Sequence, residues 1–175
     1  MAELDPINLV TDPDELINNF FRDFPESYTQ QEEQKIRAAW SFLIEKTGSL
    51  KRKCGKPYCL HPMRVARILA EKNLGADCII AGLFHNILEV DSECLSEIEE
   101  KFGKDVSVIC SGTAKITGLK IKSSSIQEAD NIRKMLFAMV DDIRVILVKL
   151  ADRLDRMRNL KSVSPEAQRA VAKEV

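Results

Sequence analysis

Apolar residues recur at helical intervals along almost the whole chain, and this periodicity most limits the folds that the chain can adopt. Between Glu32 and Gly48, for example, Ile36, Trp40 and Leu43 fall on one face of a predicted helix. No segment shows the strict alternation of apolar and polar residues that predicts a β-strand. The pattern therefore predicts an all-α protein with a compact fold of about eight to ten helices.

Start and stop signals set the helix boundaries. Thr29 and Glu32 have the spacing of a capping box, and Gly48 is a natural helix end. A proline near the start favours helices at Pro13 and Pro62. Helices are predicted over about 12–21, 29–48, from 61 onward, 76–89, 95–102, 104–114, 127–140, 142–160 and 164–175, with a basic loop at 49–60 and a mobile loop at 117–125.

Two of these predicted helices differ from the rest. Residues 76–89 are almost wholly apolar, which predicts a helix at the centre of the fold. Residues 142–160 contain Asp152 within a region of otherwise apolar spacing. The apolar stripe of this second helix is the longest in the chain and consists of Ile143, Ile146, Leu147, Leu150, Leu154, Met157 and Leu160.

Length and charge limit the class of protein. The 175 residues fit one domain, 1–175, with 1–28 as an N-terminal helical extension. The net charge of −1 gives no overall attraction to nucleic acid or membrane. There is no membrane-spanning run or signal peptide, and five cysteines without a C-x-x-C pair are predicted to be reduced. We therefore expect a cytoplasmic protein and, because the last predicted helix has no stop signal, part of a longer chain.

The chain has two histidines, His61 and His85, and each lies in a predominantly apolar predicted helix. Either histidine alone is consistent with a hydrogen-bonded core residue. Glu89 lies four residues after His85, so a continuous helix would place both on one inward face. With Asp152 they form a candidate metal or acid–base site. The alternative for Asp152 is an ion pair on its own helix, with Lys149, Arg153 or Arg156.

Longer motifs carry a family resemblance. Residues 52–62 resemble R-K-x-G-x-P-Y-x-x-H-P, residues 81–90 resemble A-x-L-L-H-D-x-x-E-D, and residues 149–154 match K-L-A-D-R-L. Shorter matches lie at 102–106, 133–136 and 142–145. Because these motifs occur in order across roughly residues 30 to 174, the chain resembles the N-terminal HD-type hydrolase domain of the RelA/SpoT family of alarmone enzymes.

The resemblance implies an HD-domain fold and removal of the 3′-pyrophosphate from guanosine tetra- and pentaphosphate. It also implies a manganese ion held by two histidines and two aspartates, and those four positions are His61, His85, Asn86 and Asp152 here. Such an ion lowers the pKa of a bound water and offsets phosphate charge. The family's acidic pair, which orients or deprotonates that water, is Glu89 followed by Val90.

The resemblance also implies a nucleotide site. Arg52 and Lys53 match basic residues that contact the base, and Lys115 matches the lysine of the family's G-V-T-K segment. Arg156, where the family has asparagine, is a further candidate contact. Four residues after Asp152, it is expected to fill part of the metal space with its guanidinium and to pair with Asp152, with a second contact to Glu89. The alternative is that Arg156 belongs to a solvated basic helix end.

The departures from the family pattern affect the positions expected to bind the metal ion and to orient the water. Asn86 is neutral and binds a hard dication more weakly than a carboxylate, and Val90 cannot hydrogen-bond water. The leading hypothesis is a degenerate hydrolase domain, with weak or absent manganese and a regulatory or nucleotide-binding role, covalently linked to a synthetase domain. The alternatives are an active manganese-dependent hydrolase and an HD-type phosphohydrolase of another nucleotide. Neither nucleic acid nor a membrane is an expected partner.

Overall fold

The structure is a computed structural model that describes residues 12–22, 24, 27–52, 55–118, 142–160 and 168–169. Within these ranges the chain forms α1 (Pro13–Arg22), α2 (Gln30–Thr47), α3 (Leu60–Ala70), α4 (Ala76–Phe84), a 3₁₀ turn (Ile87–Glu89), α5 (Leu95–Phe102), α6 (Lys104–Gly118) and α7 (Ile143–Arg158). The only β-type pairing in this part of the chain is a single bridge between Lys51 and Pro57. The predicted all-α class is therefore confirmed.

Several local signals act as the sequence predicts. Thr29 Oγ1 accepts a hydrogen bond from the Glu32 backbone amide at 3.3 Å, and Glu32 Oε2 accepts one from the Thr29 amide at 2.9 Å. Gly48 follows the last residue of α2, and Gly103, with a φ of 99°, follows α5. The helices predicted over 127–140 and 164–175 lie almost wholly outside the described residues, as does most of the loop at 117–125.

Helix α4 occupies the centre of the fold and contacts α2, α3, α6 and α7. All of its residues except Asp77 are buried. The Phe84 ring meets Phe42 and Phe102 with centroid separations of 5.5 and 5.2 Å. A Cβ on Gly82 would lie 2.4 Å from Leu69 Cδ1, so glycine permits the close approach of α3. The prediction of a central, almost wholly apolar helix is correct.

The prediction that this helix continues to Glu89 is wrong, because α4 ends at Phe84. At its end, side-chain groups donate hydrogen bonds to the backbone carbonyl groups. The Gly82 carbonyl accepts from His85 Nδ1 at 2.8 Å, the His85 carbonyl from Thr113 Oγ1 at 3.3 Å, and the Asn86 carbonyl from Tyr58 Oη at 3.1 Å. A 3₁₀ turn follows, and it leaves Glu89 exposed rather than on an inward face with His85.

The face of α7 that packs against the core is the one opposite its apolar stripe. Ile143 and Leu150 are each 60% exposed, whereas Lys149, Asp152 and Asp155 are buried. Asp155 pairs with His61 and Arg64 of α3, and Val145 and Val148 are buried on the same side of α7, so these contacts hold that side against the core. The stripe was therefore a poor guide to the buried face.

Two further predictions concern thiols and membranes. Cys59, Cys78, Cys94 and Cys110 are buried free thiols, as predicted, and Cys54 lies outside the described residues. None of the helices in the described ranges is long and apolar enough to cross a membrane.

Candidate metal centre

Three helices each bring one ligand-type side chain to a single buried point. His61 lies in the first turn of α3, His85 directly follows α4, and Asp152 lies in the middle of α7. These side chains are almost completely buried, with exposures of 2%, 2% and 0%. One ligand atom from each lies within 4.8 Å of the others. The sequence prediction that these three residues belong together agrees with their positions.

The separations suit ligands of one ion. His61 Nε2 lies 3.1 Å from both His85 Nε2 and Asp152 Oδ1, and His85 Nε2 lies 3.7 Å from the same Asp152 oxygen. Metal–ligand distances of about 2.1 Å place neighbouring ligand atoms about 3 to 3.4 Å apart in octahedral or tetrahedral geometry. The cluster is thus close to the size that a divalent cation requires.

Hydrogen bonds on the far side of each ring orient the two histidines. His85 Nδ1 lies 2.8 Å from the Gly82 carbonyl oxygen, which can only accept, so Nδ1 carries the proton. His61 Nδ1 lies 2.6 Å from Asp155 Oδ2 and donates to it in the same way. Both Nε2 atoms therefore point into the cluster. A ring nitrogen fixed in this manner is the arrangement typical of metal-binding histidines.

Burial favours the neutral form of His85. Loss of solvent, followed by repulsion from His61, lowers the pKa of His85 to about 3. A neutral imidazole with a proton on Nδ1 has its lone pair on Nε2. His85 is therefore in the form that can bind a metal ion across the neutral pH range.

Asp155 is the centre of a second buried network, between α7 and α3. Besides His61, its carboxylate accepts from Arg64 Nε at 2.7 Å and Arg64 Nη2 at 3.1 Å, and from Asn159 Nδ2 at 3.0 Å. Burial opposes ionisation, but the hydrogen bond from His61 and the charge of Arg64 outweigh it and hold the pKa of Asp155 below its ordinary value. Asp155 therefore stays an anion that supports His61.

Asp152 is paired at both of its oxygens. Arg156 Nε donates to Oδ1 at 2.7 Å, and Lys149 Nζ donates to Oδ2 at 3.1 Å. Burial opposes ionisation here too, but the contact with His61 and the nearby positive charges of Arg156 and Lys149 outweigh it and hold the pKa of Asp152 far below its ordinary value. The carboxylate is ionised, and it already has cationic partners from its own helix.

The side chain of Asn86 reaches the same cluster. When Nδ2 donates to the His85 carbonyl at 3.2 Å and to Glu89 Oε1 at 3.3 Å, Oδ1 lies 3.2 Å from His85 Nε2. This orientation is assigned because the opposite one would turn Oδ1 towards two acceptors, the His85 carbonyl and Glu89 Oε1. Because the neutral His85 ring has no proton on Nε2, two acceptor atoms then face each other. A cation beside them would satisfy both.

The remaining predicted site residues that the structure describes are not buried with this cluster. Glu89 and Val90 are exposed in the turn that follows α4, and Lys115 is exposed in the last turns of α6. Arg52 begins a turn in which its carbonyl accepts from the Gly55 amide at 2.8 Å, where Gly55 has a φ of 80°. Lys53 lies outside the described residues.

Three residues of the site were not identified from the sequence as participants: Arg64, Thr113 and Asp155. Two of them had a usable signal. Arg64 lies three residues after His61 and Asp155 three residues after Asp152, which is the spacing that places each pair on one side of its own helix. The contact of Thr113 with the His85 carbonyl has no such signal, because it joins α6 to the end of α4.

Comparison with known proteins places this arrangement in a family. The family model described as "HD domain" matches residues 39–175. The chain is 37% identical to a guanosine-3′,5′-bis(diphosphate) 3′-pyrophosphohydrolase of Aquifex aeolicus over 174 residues, which are 99% of this chain and 23% of that protein. It is 39% identical to the bifunctional (p)ppGpp synthase/hydrolase SpoT of Escherichia coli K12 over 141 residues, which are 81% of this chain and 20% of that protein.

A further relative is a GTP pyrophosphokinase of Myxococcus xanthus, which is 44% identical over 126 residues, 70% of this chain and 17% of that protein. The chain thus spans about a fifth of the length of these curated relatives. Among solved structures, a metazoan ortholog of SpoT, described as hydrolysing ppGpp, matches with a TM-score of 0.61 and 24% identity over 85% of each chain, which supports the fold. The chain belongs to the HD domain family and, within it, is a hydrolase-type domain of the RelA/SpoT family.

Proposed function

We propose that this chain is a degenerate hydrolase domain that binds guanosine tetra- or pentaphosphate and removes the 3′-pyrophosphate slowly. The observation that carries the proposal is Asn86, whose side-chain amide lies 3.2 Å from His85 Nε2, among the candidate ligand atoms. An amide carries no charge, so Asp152 is the one carboxylate offered directly to a dication. Hard divalent ions depend on anionic oxygen ligands for their affinity, and the site is therefore weakened.

The donor set nevertheless fits a divalent ion such as Mn²⁺. His61, His85 and Asp152 would hold it, with Asn86 as a weak fourth ligand, because two imidazoles, a carboxylate and an amide are suitable donors. When bound, the ion would supply a water of lowered pKa and would offset phosphate charge. Asp155 contributes by holding the proton of His61 on Nδ1, so that Nε2 stays available.

At the mouth of the site, Glu89 is the group that would accept a proton from the attacking water. Its carboxylate is exposed and lies 3.3 Å from the Asn86 amide nitrogen, which orients it beside the cluster. Val90, also exposed, offers no polar atom. Hydrolysis therefore has one acidic side chain where the family pattern has two, and proton transfer from water is less efficient.

Nucleotide binding would depend on basic residues around the mouth. The loop that carries Arg52 is joined to the site through Tyr58, whose hydroxyl donates to the Asn86 carbonyl at 3.1 Å. Burial, and then the charge of Glu89, raises the pKa of Tyr58 to about 12, while Arg52 acts in the opposite direction, so both charges lie near this hydroxyl. Arg52, with Lys53, Lys115 and Arg156, is proposed to contact the nucleotide. A regulatory role beside a covalently linked synthetase domain is proposed from the names and lengths of the relatives.

The second candidate function is an active, manganese-dependent hydrolase of the same nucleotides. It is favoured by a specific observation, the convergence of His61, His85 and Asp152 within 4.8 Å of one another. Both histidines also have their Nδ1 protons committed elsewhere. These three ligands alone would support catalysis if the amide of Asn86 completes the coordination.

Hydrolysis by the purified chain separates the two candidates. With Mn²⁺ and guanosine tetraphosphate, the degenerate domain should release GDP and pyrophosphate at least about 100-fold more slowly than the double variant Asn86→Asp/Val90→Asp, because one ligand charge and one acid are restored. His85→Ala in the double variant is the matched control and should abolish release. Wild-type turnover equal to that of the double variant, and lost in His85→Ala, would establish the active hydrolase instead.

Binding is measured separately, by calorimetric titration with guanosine tetraphosphate in the absence of metal. Arg52→Ala should weaken binding at least about tenfold, as expected for the loss of one charge-assisted contact. Lys72→Ala, an exposed lysine after α3, is the control for general charge. Equal effects of the two changes would remove Arg52 from the proposed nucleotide site.

A further inference from the structure

The Asp152 oxygen that faces the two histidines is also the oxygen that accepts from Arg156. Oδ1 lies 3.1 Å from His61 Nε2, 3.7 Å from His85 Nε2 and 2.7 Å from Arg156 Nε. Lys149 occupies the other oxygen, Oδ2, at 3.1 Å. The atom best placed to bind a cation in the cluster is therefore already hydrogen-bonded to a permanent cation.

We propose that Arg156 is an internal counter-cation that competes with divalent metal for Asp152 Oδ1. The inference rests on the proposed metal site and explains how this chain keeps that site stable without metal. A buried carboxylate without a cationic partner is costly, and Arg156 meets that need from within the chain. A metal ion must then displace the Nε donor and tolerate the guanidinium charge nearby.

The charges around the cluster strengthen this competition. Two buried carboxylates, Asp152 and Asp155, are in contact with three cationic side chains, Arg64, Lys149 and Arg156. Exposed Glu89, at the mouth, brings the formal count to three against three. The protein therefore supplies little net negative charge to attract a dication, and removal of one of the cations changes that balance directly.

Arg156 is the cation that can move. Its side chain is 28% exposed, whereas that of Lys149 is 11% exposed and also donates to Thr117 Oγ1 at 3.1 Å. Displacement of Arg156 into solvent frees Oδ1 without breaking the contact at Oδ2. The competition is thus located at one side chain, which makes it accessible to a single substitution.

The test is the affinity for Mn²⁺ alone, without nucleotide, measured from the electron paramagnetic resonance signal of free Mn²⁺. Arg156→Met keeps most of the side-chain length and removes the charge and the Nε donor, and it should tighten binding at least about tenfold. Arg158→Met is the matched control, because it removes the same charge from an exposed position on the same helix and should change affinity by less than about twofold.

Asn86→Asp is measured in parallel, since it adds ligand charge without touching Arg156. If the proposed weakness at Asn86 is wrong, this variant shows no gain while Arg156→Met still does. If Arg156→Met gives no gain, or no more than Arg158→Met, the counter-cation proposal is overturned whatever Asn86→Asp does. Should wild type and Arg156→Met both bind too weakly to measure, Arg156→Met is made in Asn86→Asp, and absence of a gain there also overturns it.

Loss of folding is the remaining complication, and circular dichroism identifies it. If Arg156→Met is unfolded, Arg156→Gln replaces it, because glutamine removes the charge while its amide can still donate a hydrogen bond. Arg156→Gln should tighten Mn²⁺ binding by a smaller factor, about threefold, since the competing charge is lost but a polar partner remains. Unchanged affinity in this folded variant would overturn the proposal.

Discussion

Helices α4 and α7 both deliver residues to the candidate metal centre, but they are buried in opposite ways. Helix α4 buries apolar side chains on almost every side and ends directly before His85. Helix α7 buries three charged residues, Lys149, Asp152 and Asp155, and leaves apolar Leu150 60% exposed. The position of α4 is therefore set by hydrophobic burial, and that of α7 by buried apolar residues such as Val148 together with paired buried charges.

This difference matters for how precisely each helix is placed. Apolar burial is non-directional and holds α4 firmly in the core, whereas ion pairs are directional and select one rotation of α7 about its axis. Buried pairs add little net stability compared with apolar residues of similar volume, but breaking one of them is costly. We infer that α7 exchanges stability for a defined orientation of the site residues.

The largest effect is expected in α4. Phe84→Ala removes a fully buried ring from contact with Phe42 and Phe102 and should lower the free energy of unfolding by about 3 to 5 kcal/mol. Chemical denaturation followed by circular dichroism measures it. Ile143→Ala, at a 60% exposed position of α7, is the matched control and should cost less than about 1 kcal/mol. Equal losses in the two variants would contradict the comparison.

The second effect is expected at the charged seam between α7 and α3. Asp155→Ala removes the carboxylate that faces Arg64 and His61, and should destabilise the fold by about 3 kcal/mol, because buried charge loses its partner. Replacing both residues, in Arg64→Met/Asp155→Leu, should recover most of that loss. Denaturation midpoints and slopes give the free energy of unfolding of wild type, of Asp155→Ala and of the double variant. A double variant no more stable than Asp155→Ala would refute the reasoning.

A solvent-exposed pair provides the reference for that experiment. Glu71, whose side chain is 49% exposed, lies 3.5 Å from Arg67 Nε, and Glu71→Ala removes this pair. Exposed pairs contribute about 0.5 kcal/mol or less, so this variant should remain close to wild type. The contrast with Asp155→Ala measures how much burial, rather than charge alone, accounts for the effect.

Local sequence signals predicted the parts of the fold that depend on neighbouring residues. The capping box at Thr29, the helix end at Gly48 and the end of α5 at Gly103 all follow from residues within one turn. His61, His85 and Asp152 were recognisable because polar groups in apolar helices are uncommon, and because they match family motifs. The distances between these three side chains could be obtained only from the folded structure.

The parts that were not predicted depend on contacts between distant segments. Beyond Phe84, where α4 ends, Tyr58 of the basic loop and Thr113 of α6 lie within hydrogen-bonding distance of the backbone carbonyls that follow. Neither contact is visible in the periodicity of residues 76–89. Likewise, the contact between Asp155 of α7 and Arg64 of α3 joins distant segments, and the apolar stripe gives no sign of it.

The third prediction compares two glycines at helix seams. A Cβ on Gly82 would lie 2.4 Å from Leu69 Cδ1, and one on Gly112 would lie 2.6 Å from Val145 Cγ2. Gly82→Ala should cost about 2 kcal/mol, because α3 and α4 are confined on all sides, and Gly112→Ala about 1 kcal/mol, because α7 has an exposed side and can shift. The same denaturation experiment measures both, and the reverse order would show that α7 is the more rigidly held helix.

The smallest effect is expected on the exposed stripe of α7. Leu150 is 60% exposed, although its sequence neighbours Lys149 and Ala151 are buried. Leu150→Ser should therefore change the free energy of unfolding by no more than about 0.5 kcal/mol and leave Mn²⁺ affinity unchanged. Val148→Ser, two residues earlier and fully buried, is the matched control and should cost several times more, about 2 to 3 kcal/mol. A loss at Leu150 as large as that at Val148 would mean that α7 presents its apolar stripe to the core after all, and the ion pairs of Asp152 and Asp155 would then lose their role in fixing the rotation of the helix.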